Sequence, residues 1–127
     1  MDFASLKSAW TSMEVDRPMD LVERRRVMGE KIMVSHVTLE EGFVVPPHHH
    51  ENEQITIVVE GRLRFRLGET EEAPETMEVA TGEVLHLPSM LWHGAEALER
   101  TVVLDLFAPP SEGTGIDEAG VEGEATS

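Results

Sequence analysis

The sequence predicts an all-β fold, either a barrel or a sandwich of short strands. Beyond Gly42 the chain alternates β-rich runs with turn residues, which is typical of antiparallel strands joined by tight turns. In the run RLRFRL at 62–67 arginine alternates with leucine and phenylalanine, so this strand has one polar and one apolar face. The connections are too short to hold the helices that a doubly wound fold requires.

The first third of the chain predicts an arm followed by a hairpin. Phe3, Leu6 and Trp10 recur at helical spacing and predict a short amphipathic helix at 3–11, or alternatively an irregular arm with a few buried anchors. From Glu23 the runs ERRRVM and KIMVSHVTL predict two strands. The turn between them is expected to carry Gly29 at its first central position.

The remaining strands are predicted by short runs that turn residues separate. These runs are FVVP, QITIVVE, RLRFRL, MEVA, VLHLP and TVVLDLFAP. After Pro110 the residues are small and acidic, and such a composition buries too little apolar surface to offset its ordering entropy. We therefore expect an N-terminal arm at 1–22, a barrel at 23–110 and a mobile acidic tail at 111–127.

Composition limits the partners and the ligand chemistry. A chain of 127 residues has room for one domain. A net charge of −15 disfavours nucleic acid and anionic membrane as partners, so a small molecule or another protein is expected. Neither a membrane-spanning apolar run nor a signal-peptide pattern is present, which favours a cytoplasmic location. Because the chain has no cysteine, any metal must take nitrogen and oxygen ligands.

The segment GFVVPPHHHENEQITIVVEG at 42–61 carries the strongest chemical signal. Alternate side chains of a strand share a face, so His48 and His50 are expected to point together and His49 away from them. Their backbones would lie about 6.8 Å apart, at roughly 3.4 Å per residue. From there both imidazoles can reach one metal ion, at about 2.0–2.1 Å each.

Two histidines alone make an incomplete site, and Gln54 and His93 are the residues expected to complete it. Gln54 begins the β-rich run after His50, and His93 follows a strand that ends at Pro88. Glu53 is the alternative fourth ligand, because a carboxylate is the harder oxygen donor. Because Glu53 and Gln54 are adjacent in the strand, their side chains are expected to point to opposite faces.

The spacing of these residues resembles the cupin family. Gly42, His48-x-His50, Gln54 and Gly61 are similar to the first cupin motif. Gly82, Pro88 and His93 are similar to the second, and the resemblance extends from about residue 31 to residue 110. It implies a double-stranded β-helix, a jelly-roll barrel of six to eight strands, with a short N-terminal arm. Two positions depart from the family pattern, since Gln54 replaces a metal-binding carboxylate and Met90 replaces a glycine.

Among cupins, the chain resembles the small pectin-degradation proteins that linearise unsaturated uronates. The matching features are His-x-His…Glu-Gln, the Pro…His-Gly segment at 88–94 and the last run, LDLFAP. This resemblance implies Asp105 as an acid/base and Phe107 as a wall of the substrate pocket. The arginine of that family would fall near Ser111 and is missing here. One of Arg62, Arg64 and Arg66 is a possible replacement if that strand faces the pocket.

The expected function is a metal-dependent enzyme that acts on a small oxygenated anion, similar to a sugar acid. The cofactor would be one divalent ion per chain, with Fe, Mn, Ni, Zn and Co not distinguished. His86 is expected either to make a structural hydrogen bond within its strand or, because it lies close to the second motif in sequence, to line the pocket. An iron dioxygenase and a non-catalytic module for metabolite binding or sensing remain alternatives, so turnover itself is open. A homodimer is expected, because small barrels of this kind commonly pair through a sheet, and the N-terminal arm could cross to the partner.

Overall fold

The computed structural model describes residues 1–111 and folds them into two antiparallel sheets, which confirms the predicted all-β class. The nine strands are β1 (Val22–Met28), β2 (Met33–Leu39), β3 (Val44–His48), β4 (Glu53–Glu60), β5 (Arg62–Gly68), β6 (Glu75–Ala80), β7 (Val84–Leu87), β8 (Trp92–Ala97) and β9 (Thr101–Ala108). One sheet has the order β1-β2-β9-β4-β7 and the other β3-β8-β5-β6. The acidic tail expected at 111–127 lies outside the described residues, apart from Ser111.

The predicted hairpin is present, but its turn differs from the prediction. Strands β1 and β2 pair antiparallel from Val22↔Leu39 to Met28↔Met33, and the Gly29 amide donates to the Ile32 carbonyl at 2.8 Å. The central turn residues are therefore Glu30 and Lys31, and Gly29 precedes them. Glycine is required there because a Cβ would lie 2.7 Å from the Ile32 oxygen.

The core fills the space between the inner faces of the two sheets. Along β9, Val103, Asp105 and Phe107 are buried, whereas Val102 and Leu104 are only partly buried. This is the period of two that a strand produces. The same alternation along β5 buries Leu63 and Phe65 and places its arginines on the outside.

The N-terminal arm is irregular, so a continuous helix at 3–11 is the wrong alternative. It contains two short 3₁₀ turns, Phe3–Leu6 and Trp10–Ser12. Phe3 is 75% exposed and Leu6 69% exposed, while the Trp10 ring lies 5.1 Å from the His36 ring on the outer side of β2. No helix in residues 1–111 reaches the length and hydrophobicity of a membrane span.

Gly94 allows β8 to approach β3 closely at the place where the histidines meet. A Cβ on Gly94 would lie 2.8 Å from the Val45 oxygen and 2.9 Å from the Pro47 nitrogen. Because these are backbone atoms of β3, any larger residue would push the strands apart. The close approach places His93 directly opposite His48 in the ladder.

Candidate metal centre

Three histidines from the two predicted motifs meet inside the barrel. His48 ends β3, His50 follows it in the connection to β4, and His93 lies near the start of β8. One ring nitrogen from each lies within 4.8 Å of the other two. The ring centroids are 4.4 Å apart for His48 and His93, and 5.0 Å apart for His50 and His93.

Backbone carbonyls set the orientation of all three rings. The Nδ1 atom of His48 lies 3.1 Å from the Pro46 oxygen, that of His50 2.9 Å from the Asn52 oxygen, and that of His93 2.8 Å from the Leu91 oxygen. A carbonyl oxygen only accepts hydrogen bonds, so each Nδ1 carries the proton. Each neutral imidazole then keeps the lone pair of its Nε2 for a metal.

Burial keeps these imidazoles neutral. It lowers the pKa of His48 to about 4 and the pKa of His93 to about 3. Burial also lowers the pKa of His50, against hydrogen bonds that raise it. The Nε2 atom of His93 is buried and has no hydrogen-bond partner among residues 1–111. A bound cation would supply the partner that this buried lone pair lacks.

Gln54 adds an oxygen to this cluster. Its Nε2 donates to Thr56 Oγ1 at 3.0 Å and to Asp105 Oδ1 at 3.4 Å, so its Oε1 faces the histidines. That Oε1 lies 3.2 Å from His50 Nε2. Both atoms present lone pairs to the same space, because the proton of His50 is on Nδ1. Three neutral imidazoles and one neutral amide therefore fit a divalent first-row ion.

Glu53 and His86 lie together on the outer face of the barrel, away from the cluster. His86 Nε2 is 2.6 Å from a Glu53 carboxylate oxygen, and the two side chains are 55% and 56% exposed. The expectation that His86 lines the pocket is wrong, because its neighbours Leu85 and Leu87 face inward and the strand alternates. Glu53 likewise points away from the histidines, as the alternation of side chains along β4 predicts.

Asp105 and Phe107 are successive inward-facing residues of β9, two positions apart in the sequence. Thr56 Oγ1 donates to Asp105 Oδ1 at 2.6 Å, and Gln54 is the second donor. Asp105 is 5% exposed, and its burial raises the pKa of the carboxyl to about 6, against those two hydrogen bonds. The structure thus brings a buried carboxyl into contact with the candidate ligand Gln54.

A cavity of about 50 Å³ adjoins the histidines. Its polar lining is His48, Gln54, Thr56, His93 and Asp105. Its apolar lining is Leu39, Phe43, Val45, Leu63, Phe65, Gly94, Ala95, Val103 and Phe107. The Phe107 ring packs edge-on to the His50 ring, with the ring centroids 6.0 Å apart.

The arginines of β5 cannot replace the family arginine, because they lie on the outer face. Arg62 and Arg64 contact Glu78 at 3.1 and 3.8 Å, and Arg64 also contacts Glu96. Arg66 donates to backbone oxygens of Glu72 and Ala73. The lining of the cavity contains no lysine or arginine among the described residues, and residues 112–127 contain neither in the sequence.

Two contributors to the site were missed in the sequence analysis. Thr56 shares the face of Gln54, so the period of two in QITIVVE is a signal that could have found it. The backbone carbonyl of Asn52 accepts a hydrogen bond from His50 Nδ1, and the side-chain amide of Asn52 donates to the Pro109 oxygen. This second contact joins residues 57 apart in the chain, and no local sequence pattern predicts it.

The family model described as the cupin domain matches residues 35–107, which is more than half of the chain. The chain belongs to the cupin family. A search of curated protein sequences finds no significant match to this cupin.

Solved structures agree with this membership. KdgF from Halomonas sp. is 27% identical with a TM-score of 0.74, and the match covers 82% of this cupin and 93% of that chain. An RmlC-like cupin from Shewanella frigidimarina is 20% identical with a TM-score of 0.74, over 83% of this chain and 91% of that one. A mutant of Bacillus subtilis oxalate decarboxylase OxdC is 19% identical, with a TM-score of 0.71, over 84% of this chain and 30% of that one. The resemblance to small single-domain cupins is thereby confirmed, with KdgF among the structures that this chain resembles.

Proposed function

We propose that this cupin is a metal-dependent enzyme that acts on a small oxygenated anion. His48, His50 and His93 would hold one divalent ion, with Gln54 Oε1 as the fourth donor. The observation that carries the proposal is the set of three neutral imidazoles, each fixed through Nδ1 by a backbone carbonyl and converging beside a cavity.

The charge of this donor set favours an anionic substrate. All four proposed ligands are neutral, so nothing among them offsets the charge of a divalent ion. When bound, the ion would supply Lewis acidity that orients and polarises a hydroxyl or carbonyl oxygen. Because the cavity lining has no cationic side chain, this centre would be the main attraction for a carboxylate.

Asp105 is the proposed acid/base. Burial raises its pKa to about 6, so its carboxyl can both hold and release a proton near neutral pH. The hydrogen bonds from Thr56 and Gln54 fix the carboxyl in place. Phe107 and the apolar wall would exclude water from the proton that Asp105 moves.

Substitution of Asp105 tests this role directly. After NMR screening of uronates and other small hydroxy and oxo acids has identified a substrate, we expect Asp105→Asn to lower turnover by about a hundredfold or more. The metal content should not change. The variant should fold at least as stably at neutral pH, because a neutral amide avoids the burial of a charged carboxylate. Full turnover by Asp105→Asn would exclude an acid/base role.

An iron-dependent dioxygenase is the second candidate function. It is favoured by the three neutral imidazoles, which suit iron, and by the apolar wall next to them. Oxygen consumption by the iron-loaded protein in the presence of substrate would support this reading over Lewis-acid catalysis. Recovery of a bound ligand unchanged after long incubation would instead indicate a non-catalytic binding module.

A further inference from the structure

The polar and apolar residues of the cavity are separated along its length. At the level of the histidines, the inward positions of β4 and β9 are Gln54 and Phe107, which are register partners. The next inward pair is Thr56 and Asp105. These two levels are about 6.8 Å apart, given roughly 3.4 Å per residue, and they hold every polar group that β4 and β9 contribute to the lining.

Beyond the level of Asp105 the lining is hydrocarbon. On β9 the next inward residue is Val103, which is 1% exposed. The opposite sheet contributes Leu63 and Phe65, and Leu39 and Phe43 line the cavity as well. A ligand group that reaches this inner end would find no hydrogen-bond partner among the side chains that line it. Hydroxyl groups placed there would lose their hydrogen bonds to water without replacement.

The inner end of the cavity is also closed to water. Leu63, Phe65 and Phe43 are 2%, 4% and 2% exposed. The ring of a hexuronate, with a hydroxyl on most of its carbons, therefore has the wrong polarity for this end.

We propose that the substrate is a short aliphatic acid that carries a hydroxyl or keto oxygen next to its carboxylate. The oxygenated head would lie at the histidines, Gln54 and Asp105, and the hydrocarbon tail would fill the space bounded by Val103, Leu63 and Phe65. This inference rests on the proposed function and narrows it, because it excludes the polyhydroxylated uronates that the family resemblance suggests.

Binding calorimetry of the metal-loaded protein with a series of 2-hydroxy acids tests the inference. The probes are glycolate, lactate, 2-hydroxybutyrate and 2-hydroxyvalerate, with gluconate and galacturonate as polyhydroxylated comparisons. We expect affinity to rise about fourfold for each added methylene until the cavity is full, and then to fall. The two polyhydroxylated acids should bind no more tightly than glycolate.

A matched pair of variants locates the tail. Val103 and Val58 are register partners, and each is 1% exposed, but only Val103 lines the cavity. Val103→Ala should move the best-binding acid to a tail one or two carbons longer. Val58→Ala should leave the order of affinities unchanged. If either variant fails to fold, the series on the unmodified protein decides.

Metal analysis of the same samples separates the possible failures. Metal-loaded protein that binds galacturonate more tightly than 2-hydroxybutyrate, or that binds none of the acids, overturns the substrate inference and leaves the metal centre intact. Protein that cannot be loaded with metal overturns the proposed function, and the inference with it.

Discussion

The three imidazoles of the candidate site share a lowered pKa, because burial disfavours their charged form. The pKa of His48 falls to about 4 and that of His93 to about 3, against about 6.5 for a free side chain. Protons compete with metal for the same lone pairs. A site made of such residues should therefore retain its metal at pH values where exposed histidines release it.

Titration of metal at two pH values tests this consequence. For three ordinary imidazoles the apparent affinity would fall on the order of a thousandfold between about pH 7.5 and about pH 5.5. Here the fall should be less than about tenfold, because pKa values of about 4 and about 3 leave His48 and His93 mostly unprotonated over that range, and burial lowers the pKa of His50 as well. A thousandfold fall would show that burial does not protect these nitrogens.

The same shifts determine how the metal-free protein responds to acid. Since the folded pKa values lie below those of the unfolded chain, the unfolded chain binds more protons as the pH falls below about 6.5. These histidines therefore contribute progressively less to the stability of the folded state between about pH 6.5 and about pH 4. Asp105 acts in the opposite sense, because its raised pKa favours the fold at low pH and its contribution is lost as the pH rises through about 6.

At the scale of elements, the connection between β7 and β8 carries a residue that its backbone disfavours. Met90 has a φ of 70°, and its amide donates to the His50 carbonyl at 2.8 Å. A left-handed conformation costs a residue with a Cβ roughly 1–2 kcal/mol. The hydrogen bond to His50 explains why the conformation is retained, since it anchors this connection beside the candidate site.

Replacing Met90 with glycine should relieve the strain. The side chain is 47% exposed, so little packing would be lost, and we expect a gain of about 0.5–1 kcal/mol in the free energy of unfolding after the entropy of glycine in the unfolded chain is included. Urea denaturation measures it. Met77, which is 46% exposed within β6, is the matched control, and Met77→Gly should destabilise. Equal destabilisation by both variants would contradict the strain argument.

The strands also show how far the sequence could predict the site. The alternation of side chains along a strand was enough to predict that His48 and His50 point together. The two residues are two positions apart, so the prediction did not depend on how the strands pair. The same rule assigns His86 to the outer face, where it pairs with Glu53. The pocket-lining alternative relied on closeness to the second motif in sequence, which does not determine the face on which a side chain lies. The contact between Thr56 and Asp105 spans 49 residues. It depends on the register of β4 against β9, which no local pattern specifies.

At the scale of the whole molecule, the outer face of the five-stranded sheet carries a cluster of exposed apolar side chains on β4 and β7. Ile55, Val59 and Val84 are 37%, 49% and 59% exposed. On the adjoining β9, Leu104 and Leu106 are partly buried and also face outward. Phe3 and Leu6 of the arm are largely exposed as well. We propose that a second copy of the chain covers this face, since apolar patches of this kind mark interaction surfaces.

Light scattering tests the proposed homodimer. The unmodified protein should have about twice the chain mass of 14.1 kDa, and Ile55→Glu/Val59→Glu should dissociate it by placing charge on the apolar face. Val44→Glu is the control, because Val44 is 54% exposed on the other sheet, and this variant should remain a dimer. A mass of one chain for the unmodified protein would reject the proposal.

The central claim is that the buried histidines hold one metal ion, and metal stoichiometry tests it most directly. Untagged protein purified without added metal would be compared by elemental analysis with His48→Ala/His93→Ala and with the control His49→Ala. The His49 ring packs against the Trp92 ring, with the ring centroids 4.1 Å apart, and it points away from the cluster. We predict about one ion per chain in the unmodified protein and in His49→Ala, and almost none in the double variant. Absence of metal from all three, even after incubation with divalent ions, would contradict the account.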